Sequence, residues 1–514
     1  MSQQILVKEE NHQTAKQGAI GEGKGTALQR DQGKLTAHQR LDHLLDPGTW
    51  QAFAPHLTRR DDRYQKREHP PSDGVMAGFG KIESRRIAVF AQDLSVEGGS
   101  FSEMGAQKIG QLIERAREGG LPLIGLYGAT GLCPQEGVYA MAGPAELIWQ
   151  QTQTSGLTPQ IAIVMEPVPG ALALSVGLAD FVIAVAEQGQ VFLEPEAVSS
   201  TSQGELDLEA IGGVGLHGQQ SGLCHFVMAN DADALALARR LLSYLPSNNL
   251  EAPPYVPPDD DPWRIETVLD TLVPDDPTLP YDMYTVLEAV FDRRSFLEVQ
   301  AGFAQNVIVG LARLHGAVVG IVAQQPTVLA GVLDIDASDK IARFVRTCDA
   351  FNIPLITFVD SPGFLPGVAQ EHGGIIRHGA KIVYAYSEAT VPKISIVTRK
   401  AYGGAYIVMS SKYIRTDLCF AWPSAEIAVL GAEGAVNILY RKQLQKAADP
   451  EAERARLVAE YAEKFSTPFQ TAASGHVDDV IQASETRPRL IAALETLKDK
   501  YATSPDKKHD NMPM

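Results

Sequence analysis

The stretch TVPKISIVTRKAYGGAYIVM, from Thr390 to Met409, predicts a strand, a glycine turn and a helix in succession. Its apolar and β-branched start, Ile394 to Val397, predicts a strand. The run Gly403-Gly404-Ala405 then predicts a glycine turn, and the residues after it predict a helix. Backbone N–H groups at such a turn have no helical acceptor and can hold a substrate oxyanion. The same pattern also fits a tight turn that needs glycine only for its backbone angles.

The stretch has a counterpart in the first half of the chain. VPKISIVTRKAYGG aligns with TPQIAIVMEPVPGA, so that Pro392 matches Pro159 at a separation of 233 residues. The glycine turn thereby gains a partner at Gly170-Ala171-Leu172. Four matched segments in one order predict a domain duplication, two copies of one α/β unit. The three other segments lie upstream and match at a separation of 232 residues: Gln92 with Gln324, Lys108 with Lys340, and Pro122 with Pro354.

Length and charge limit the possible functions. The 514 residues suffice for two domains of roughly 200–250 residues each. Hydrophobic residues make up 45% of the chain and charged residues 21%, which is typical of a globular enzyme. The net charge of −17 argues against a nucleic acid as the main partner.

Cysteine usage and hydropathy indicate a cytoplasmic protein. The cysteines are scattered without CxxC spacing, which predicts reduced thiols and neither a metal site nor a disulfide framework. The N-terminus has no apolar signal region. An uninterrupted apolar run of about 18 residues is also missing, so we expect no membrane span. The cysteines are Cys133, Cys224, Cys348 and Cys419.

The chain is predicted to divide into a tail and two domains. Residues 1–32 are polar and rich in Gly and Gln, which predicts a disordered tail. The segment LLSYLPSNNLEAPPYVPPDDDPW, residues 241–263, is typical of a linker. We therefore expect one domain over residues 33–260 and the second over residues 261–514.

Long motifs in the second half identify a family resemblance. They are LAGVLDIDASDKIARF, FVDSPGFLPGVAQEHGGIIRHGAKIVYAYSEATVPKI, RKAYGGAYIVMSSKYI and AWPSAEIAVLGAEGAV. Together with GKLTAHQRLDHLLDPGTW and the terminal KKHDNMPM, they resemble the carboxyltransferase β subunits of biotin-dependent acyl-CoA carboxylases, such as propionyl-CoA carboxylase. They are also similar to the related methylmalonyl-CoA carboxyltransferase and decarboxylase α subunits. The resemblance covers nearly all of the chain after about residue 33.

The resemblance implies a fold, an assembly and partners. Each copy would have the crotonase-like fold, a ββα superhelix. Residues 33–260 would hold the acyl-CoA, and residues 261–514 would hold carboxybiotin carried on a separate protein. The active sites would lie between the N-terminal domain of one protomer and the C-terminal domain of another in a homohexamer, a trimer of dimers. The chain has no biotin-accepting Met-Lys-Met, so a biotin carboxylase and biotin carboxyl carrier subunit would be its partners in this ligase or transferase complex.

Carboxyl transfer to the α-carbon of a thioester requires an enolate, whose oxygen backbone N–H groups can stabilise. The ureido oxygen of biotin gains similar charge, so two oxyanions suggest one N–H site in each copy. By resemblance, Gly170 and Ala171 would serve the acyl thioester, whereas Gly403, Gly404 and Ala405 would serve biotin. No side-chain base is required, because the released biotin nitrogen can take the α-proton. The other residues assigned to substrate or biotin binding are Gly131, Asp360, Gly363, Phe364, Tyr406 and Ile407.

The first copy departs from the family where the acyl-CoA would lie. The family pattern resembles DSGGARIQEG, but this chain reads GATGLCPQEG, so its acidic residue is replaced by Gly128 and its arginine by Cys133. Gly170-Ala171-Leu172 replaces Gly-Gly-Ala, and the following segment near Glu194 is shortened. In the second copy, the apolar Ile407 stands at a position that lines the acyl pocket in the family, where propionyl-type members often have Asp.

These departures leave alternatives open. The chain is an ordinary member with drifted details, or it uses an unusual acceptor such as another acyl-CoA, a carrier-protein thioester or a non-thioester carbonyl compound. A biotin-dependent decarboxylase or transcarboxylase of a malonyl-type thioester would use the same site. A non-catalytic partner subunit is the alternative from a different class.

Overall fold

A computed structural model describes residues 34–60, 72–193, 208–274 and 276–513. The predicted tail over residues 1–32 and the altered position Glu194 lie outside the described residues. The chain forms two compact units, the first ending at Glu251 and the second beginning at Ala252. Pro254 already bonds within the second unit, because its carbonyl oxygen accepts from Arg313 Nη1 at 2.8 Å. The division therefore lies before the expected boundary at residues 260 and 261.

The first unit is built on a sheet with the strand order β1-β2-β3-β5-β7-β9-β11. Its strands are β1 Gln51–Ala52, β2 Val75–Ile82, β3 Arg85–Gln92, β4 Ser100–Phe101, β5 Leu123–Tyr127, β6 Gly131–Leu132, β7 Gln160–Val164, β8 Pro167–Pro169, β9 Phe181–Val185, β10 Gln190–Phe192 and β11 Phe226–Met228. Its helices are α1 Ala37–Leu44, α2 Glu103–Gly119, α3 Tyr139–Thr154, α4 Ala171–Gly177, α5 Leu208–Gly212, α6 Val214–Gln219 and α7 Asp231–Leu242.

The second unit repeats this arrangement with the strand order β12-β13-β14-β15-β16-β17-β19, and β18 pairs with β16. Its strands are β12 Leu297–Val299, β13 Val307–Leu314, β14 Ala317–Gln324, β15 Leu355–Ser361, β16 Lys393–Tyr402, β17 Leu418–Ala421, β18 Glu426–Ala428 and β19 Asp479–Val480. Its helices are α8 Met283–Val290, α9 Ile335–Ala350, α10 Val368–Gly373, α11 Ile375–Glu388, α12 Gly403–Val408, α13 Ala432–Leu439, α14 Arg441–Leu444, α15 Pro450–Phe465, α16 Pro468–Ala473 and α17 Thr486–Leu497.

Strand pairing confirms the duplication predicted from the sequence. In the first unit β2 and β3 are antiparallel, and β3, β5 and β7 then run parallel. In the second unit β13 and β14 are antiparallel, and β14, β15 and β16 run parallel. The register agrees as well, since Leu123 pairs with Gln160 in one unit and Leu355 pairs with Lys393 in the other.

A buried lysine has the same place in each unit. Lys108 of α2 donates to the carbonyl oxygen of Val75 at 2.9 Å, at the start of β2. Lys340 of α9 donates to the carbonyl oxygen of Val307 at 2.7 Å, at the start of β13. Burial lowers the pKa of Lys340 to about 8. Both helices pack an apolar face on the sheet, with Ile109 and Leu112 buried in the first.

Bilayer-spanning helices are not found in the described ranges, where no helix combines the necessary length with the necessary apolar character.

Candidate active site

The turn after β16 is tighter than its sequence predicts. The strand extends over Lys393–Tyr402, well past the predicted end at Val397, and α12 begins directly at Gly403. Gly403 has a φ of +54°, which L side chains rarely adopt, so it supplies the change of direction. Gly404 and Ala405, expected in the turn, already belong to the helix. The first N–H groups of α12 have no acceptor within the helix itself.

One side of this turn is open and the other faces the core. A Cβ atom added at Gly404 would meet no atom within 4 Å. Ile407 lies three residues further on the same helix face and is 43% exposed. Ala405 and Tyr406 are buried, and the Tyr406 hydroxyl lies 3.9 Å from Cys419 Sγ. The open face is therefore formed by Gly404 and Ile407, whereas Tyr406 packs inward.

Asp360 lies at the end of β15 and is fully buried. Its Oδ2 accepts from Arg399 Nε at 3.2 Å and lies 3.1 Å from Arg399 Nη2. Its Oδ1 accepts from the backbone N–H of Lys400 at 3.1 Å. Burial raises the pKa of the Asp360 carboxyl, and the Arg399 guanidinium opposes that rise. The residue predicted to bind substrate thus holds the ends of β15 and β16 together.

The loop after β15 includes two other predicted site residues. Gly363 has a φ of +152°, and a Cβ atom there would meet nothing within 4 Å. Its carbonyl oxygen accepts from the Leu333 N–H at 3.0 Å. Phe364 packs on α11, where a Cβ at Gly379 would lie 3.0 Å from the Phe364 ring. Gly363 therefore leaves open space beside the end of β15, and Phe364 forms part of the loop's packing.

The equivalent turn of the first unit is built differently. Gly170 follows β8 with a φ of +66°, and α4 begins at Ala171. The Gly170 N–H donates to the carbonyl oxygen of Phe192 at 2.9 Å, so this predicted oxyanion donor is already engaged within the chain. The first N–H groups of α4, which start with that of Ala171, are the remaining candidates on this side.

A positively charged side chain from another part of the chain, that of Arg59, lies beside the altered loop after β5. Gly131 pairs with Ser100 between β6 and β4 and has a φ of +135° with open space at its Cβ position. Cys133 is buried, and its Sγ lies 3.9 Å from the guanidinium Nη1 of Arg59. Arg59 also donates to the carbonyl oxygen of Ser100. A guanidinium thus reaches the position where the family's arginine is replaced by cysteine.

Sequence reasoning missed Glu166, which lies just before β8. Its carboxylate is buried and lies 2.6 Å from Lys34 Nζ and 3.1 Å from Arg40 Nη2. A Cβ added at Gly128 would lie 2.6 Å from Glu166 Cβ. Comparison of the two halves of the sequence could have found it, because Glu166 aligns with Arg399.

Comparison with known proteins shows the family of the chain. The model of the carboxyl transferase domain matches residues 28–512. The chain belongs to the carboxyl transferase family. The carboxyltransferase subunit of propionyl-CoA carboxylase from Haloferax mediterranei is 49% identical to this chain over 490 residues, which are 95% of both chains. The methylmalonyl-CoA decarboxylase subunit alpha of Veillonella parvula is 44% identical over 502 residues, 97% of both chains.

A solved structure resembles this carboxyl transferase along nearly its whole length. Transcarboxylase 12S, with methylmalonyl-coenzyme A and methylmalonic acid bound, superimposes with a TM-score of 0.95 at 42% identity. The match covers 99% of this chain and 98% of the other. These findings confirm the predicted family, the crotonase-like fold class and the carboxyltransferase chemistry.

Proposed function

We propose that this chain is the carboxyltransferase subunit of a biotin-dependent acyl-CoA carboxylase. It moves a carboxyl group between carboxybiotin on a carrier protein and the α-carbon of an acyl-CoA. The observation that carries the proposal is one strand-to-glycine turn at the equivalent position of each unit, in a chain of this family. Relatives named for propionyl-CoA and methylmalonyl-CoA support an acyl-CoA substrate.

The first unit holds the acyl thioester in this proposal. Negative charge develops on the thioester oxygen when the α-proton leaves, and the N–H groups at the start of α4 stabilise it. The bond from the Gly170 N–H to Phe192 fixes the turn before substrate binds. Gly170 therefore orients the turn, and Ala171 offers the first candidate donor.

The second unit holds the biotin ring. The residues fit this group, since Gly404 leaves open space beside the N–H groups at the start of α12. These N–H groups face the ureido oxygen as it gains negative charge. Carboxybiotin supplies the carboxyl group and, after its release, a ring nitrogen that accepts the α-proton. The C–N bond to the carboxyl breaks, and the C–C bond to the α-carbon forms.

The assembly and location follow from the same proposal. The biotin would arrive on a biotin carboxyl carrier subunit charged by a biotin carboxylase. A homohexamer is proposed because transcarboxylase 12S is described by its hexamer assembly. The proposed location is the cytoplasm, which the four buried, free cysteines of the described residues support. The net charge of −17 disfavours a nucleic-acid partner.

The direction of transfer is a property of the complex, because both directions use one site. The relative from Veillonella parvula carries a decarboxylase name, and that from Haloferax mediterranei carries a carboxylase name. The altered loop from Gly128 to Gly137 and the engaged Gly170 N–H favour a second candidate, the same transfer to an unusual acceptor.

A substrate panel tests the proposal. The purified full chain is supplied with carboxybiotin and, in turn, with acetyl-CoA, propionyl-CoA, longer acyl-CoAs and carrier-protein thioesters. Carboxylated product with one or more CoA thioesters is the expected result. Product only with carrier-linked thioesters would establish the second candidate. A chain that forms no product and binds no acyl-CoA in calorimetry would be a non-catalytic partner, and the proposal would be wrong.

A further inference from the structure

The two units hold a buried carboxylate at the same place by different means. Gln92 Oε1 accepts from the Gly128 N–H at 3.0 Å, and Gln324 Oε1 accepts from the Asp360 N–H at 3.1 Å. Gly128 and Asp360 therefore occupy equivalent positions at the ends of β5 and β15. The second unit has its carboxylate at this position, and the first unit has glycine.

The missing carboxylate of the first unit comes from the next strand of the sheet. Glu166 follows β7 and is 2% exposed. Its Cβ and Cγ lie 2.6 and 3.0 Å from a Cβ built at Gly128, so it fills the space that an acidic side chain there would enter. In the second unit the position of Glu166 is taken by Arg399, the cation that pairs with Asp360. The position of the cation in the second unit is thus taken by the acid in the first unit, and the position of the acid in the second unit is taken by glycine.

The cations of the first unit come from the N-terminal part of the chain. Arg40 of α1 contacts Glu166 through Nη2 at 3.1 Å and donates from Nε to Asp231 at 2.8 Å. Lys34 Nζ lies 2.6 Å from the other oxygen of Glu166. Arg40, Glu166 and Asp231 are each less than a tenth exposed. Glu166 thus ties α1 to the end of β7, and its removal would take from Arg40 one of its two buried acidic partners.

Glu166 is joined to the acyl-side turn by a stiff connection. Three residues of β8 separate it from Gly170, and two of them, Pro167 and Pro169, have a fixed φ. The Pro167 carbonyl oxygen accepts from the Ala129 N–H at 2.8 Å, which couples this connection to the altered loop. A shift of Glu166 is therefore transmitted to Gly170 and Ala171.

We propose that Glu166 is the positioning residue of the acyl-side turn, and that Gly128 and Glu166 are an exchanged pair that must change together. This inference rests on the proposed function, because it assigns the turn at Gly170 to the acyl thioester. Glu166 acts through Lys34, Arg40 and β8, and it does not touch the substrate. The loss of the acidic residue at 128 is thus a relocation of the charge.

The test is a double-mutant cycle in the full chain. The variants are Glu166→Gly, Gly128→Asp and the two combined, with Glu118→Gly as the control. Glu118 pairs with Arg115 at 2.6 Å on the surface of α2, where both side chains are more than half exposed. The readouts are the thermal midpoint, the dissociation constant for methylmalonyl-CoA by calorimetry, and the KM for free biotin in carboxyl transfer.

Each single change is expected to lower the thermal midpoint and to weaken methylmalonyl-CoA binding tenfold or more, with the biotin KM within twofold. Glu166→Gly removes the acidic partner of Lys34 and leaves Arg40 with Asp231 alone, and Gly128→Asp collides with Glu166. The combined variant should recover most of the thermal midpoint and most of the affinity for methylmalonyl-CoA. The Glu118→Gly control should change neither of these quantities. A combined variant no better than its worse parent would overturn the exchange. Unchanged methylmalonyl-CoA binding in Glu166→Gly would overturn the positioning role.

The proposed function can fail separately. If the unmodified chain transfers no carboxyl group, the proposed function is wrong. The thermal midpoints still decide whether positions 128 and 166 are exchanged, and the calorimetry still decides whether Glu166 positions the acyl side.

Discussion

Replacing Arg399 with methionine leaves the buried carboxylate of Asp360 without its cation. The two side chains make two contacts of 3.1 and 3.2 Å, and both are almost fully buried. Removing one partner of such a pair costs about 3–5 kcal/mol. The Lys400 N–H still donates to Asp360, so the lower end of that range is expected. At roughly 2–4 °C per kcal/mol, the thermal midpoint of the variant should fall by about 10 °C.

The pH dependence of this loss identifies its cause. Burial already raises the pKa of Asp360, and Arg399 is the largest influence that lowers it. Without Arg399 the folded chain holds the Asp360 proton more tightly than the unfolded chain does. The loss of stability is therefore greatest at pH values above the pKa of Asp360 in the folded variant, where the carboxylate is charged. It disappears as the pH falls below that pKa and the carboxylate takes up a proton. The deficit in thermal midpoint should be smaller at pH 5 than at pH 8.

Two further variants complete this experiment. Asp360→Asn combined with Arg399→Met removes the unpaired charge and should recover part of the loss. Arg489→Met removes an exposed cation that lies 3.4 Å from Asp479, and it should cost less than about 1 kcal/mol. Differential scanning calorimetry of the full chain measures all three variants. A fall in Arg399→Met no larger than in Arg489→Met, or a deficit independent of pH, would refute the role of Asp360 as a buried brace.

Three other substitutions probe separate parts of the account. Gly170→Ala forces a side chain into a backbone conformation that only glycine adopts readily, at a cost of about 1–3 kcal/mol. The KM for acyl-CoA should rise while the KM for biotin stays constant. An unchanged KM for acyl-CoA would count against the assignment of this turn to the acyl thioester. Lys340→Met removes the ammonium donor to the carbonyl oxygens of Gln300, Phe303 and Val307 and should lower the thermal midpoint by several degrees, whereas Lys442→Met at the surface should not. Ile407→Asp on the open face of α12 should change the ratio of kcat/KM between acetyl-CoA and propionyl-CoA about tenfold without changing the thermal midpoint, and a constant ratio would remove Ile407 from the acyl pocket.

The duplication is predictable because both copies preserve the residues that build the sheet. Gln92 and Gln324 each accept from a backbone N–H at the end of the next parallel strand. Lys108 and Lys340 each anchor the start of an antiparallel pair. Such residues recur at a fixed separation, so comparing the two halves of the chain finds them.

The details of the site are not predictable in the same way, because they depend on contacts between distant segments. Sequence comparison aligns Gly170 with Gly403, but it does not show that the carbonyl group of Phe192 engages the Gly170 N–H. It does not show that Tyr406 packs against Cys419. The replacement of an acidic residue by Gly128 indicates a lost charge, and only the folded chain shows Glu166 in its place.

The unit boundary illustrates the same limit. Proline and aspartate between residues 252 and 260 predict a linker. The Val256 N–H donates to the carbonyl oxygen of Gly316 at 3.2 Å, so part of this segment bonds within the second unit. A proline-rich composition predicts an extended backbone, but it does not identify the surface on which that backbone lies.

Carboxyl transfer by the Gly404→Leu variant measures whether the start of α12 holds biotin. A Cβ at Gly404 meets nothing within 4 Å, so the fold should tolerate the side chain while the space for biotin is lost. Gly215→Leu is the matched control, because its Cβ is equally unhindered. With labelled methylmalonyl-CoA and free biotin, Gly404→Leu should transfer label at least 10²-fold more slowly, about 3 kcal/mol in barrier, with thermal midpoint and methylmalonyl-CoA affinity unchanged. Transfer at the rate of the unmodified chain would contradict a biotin site at this turn.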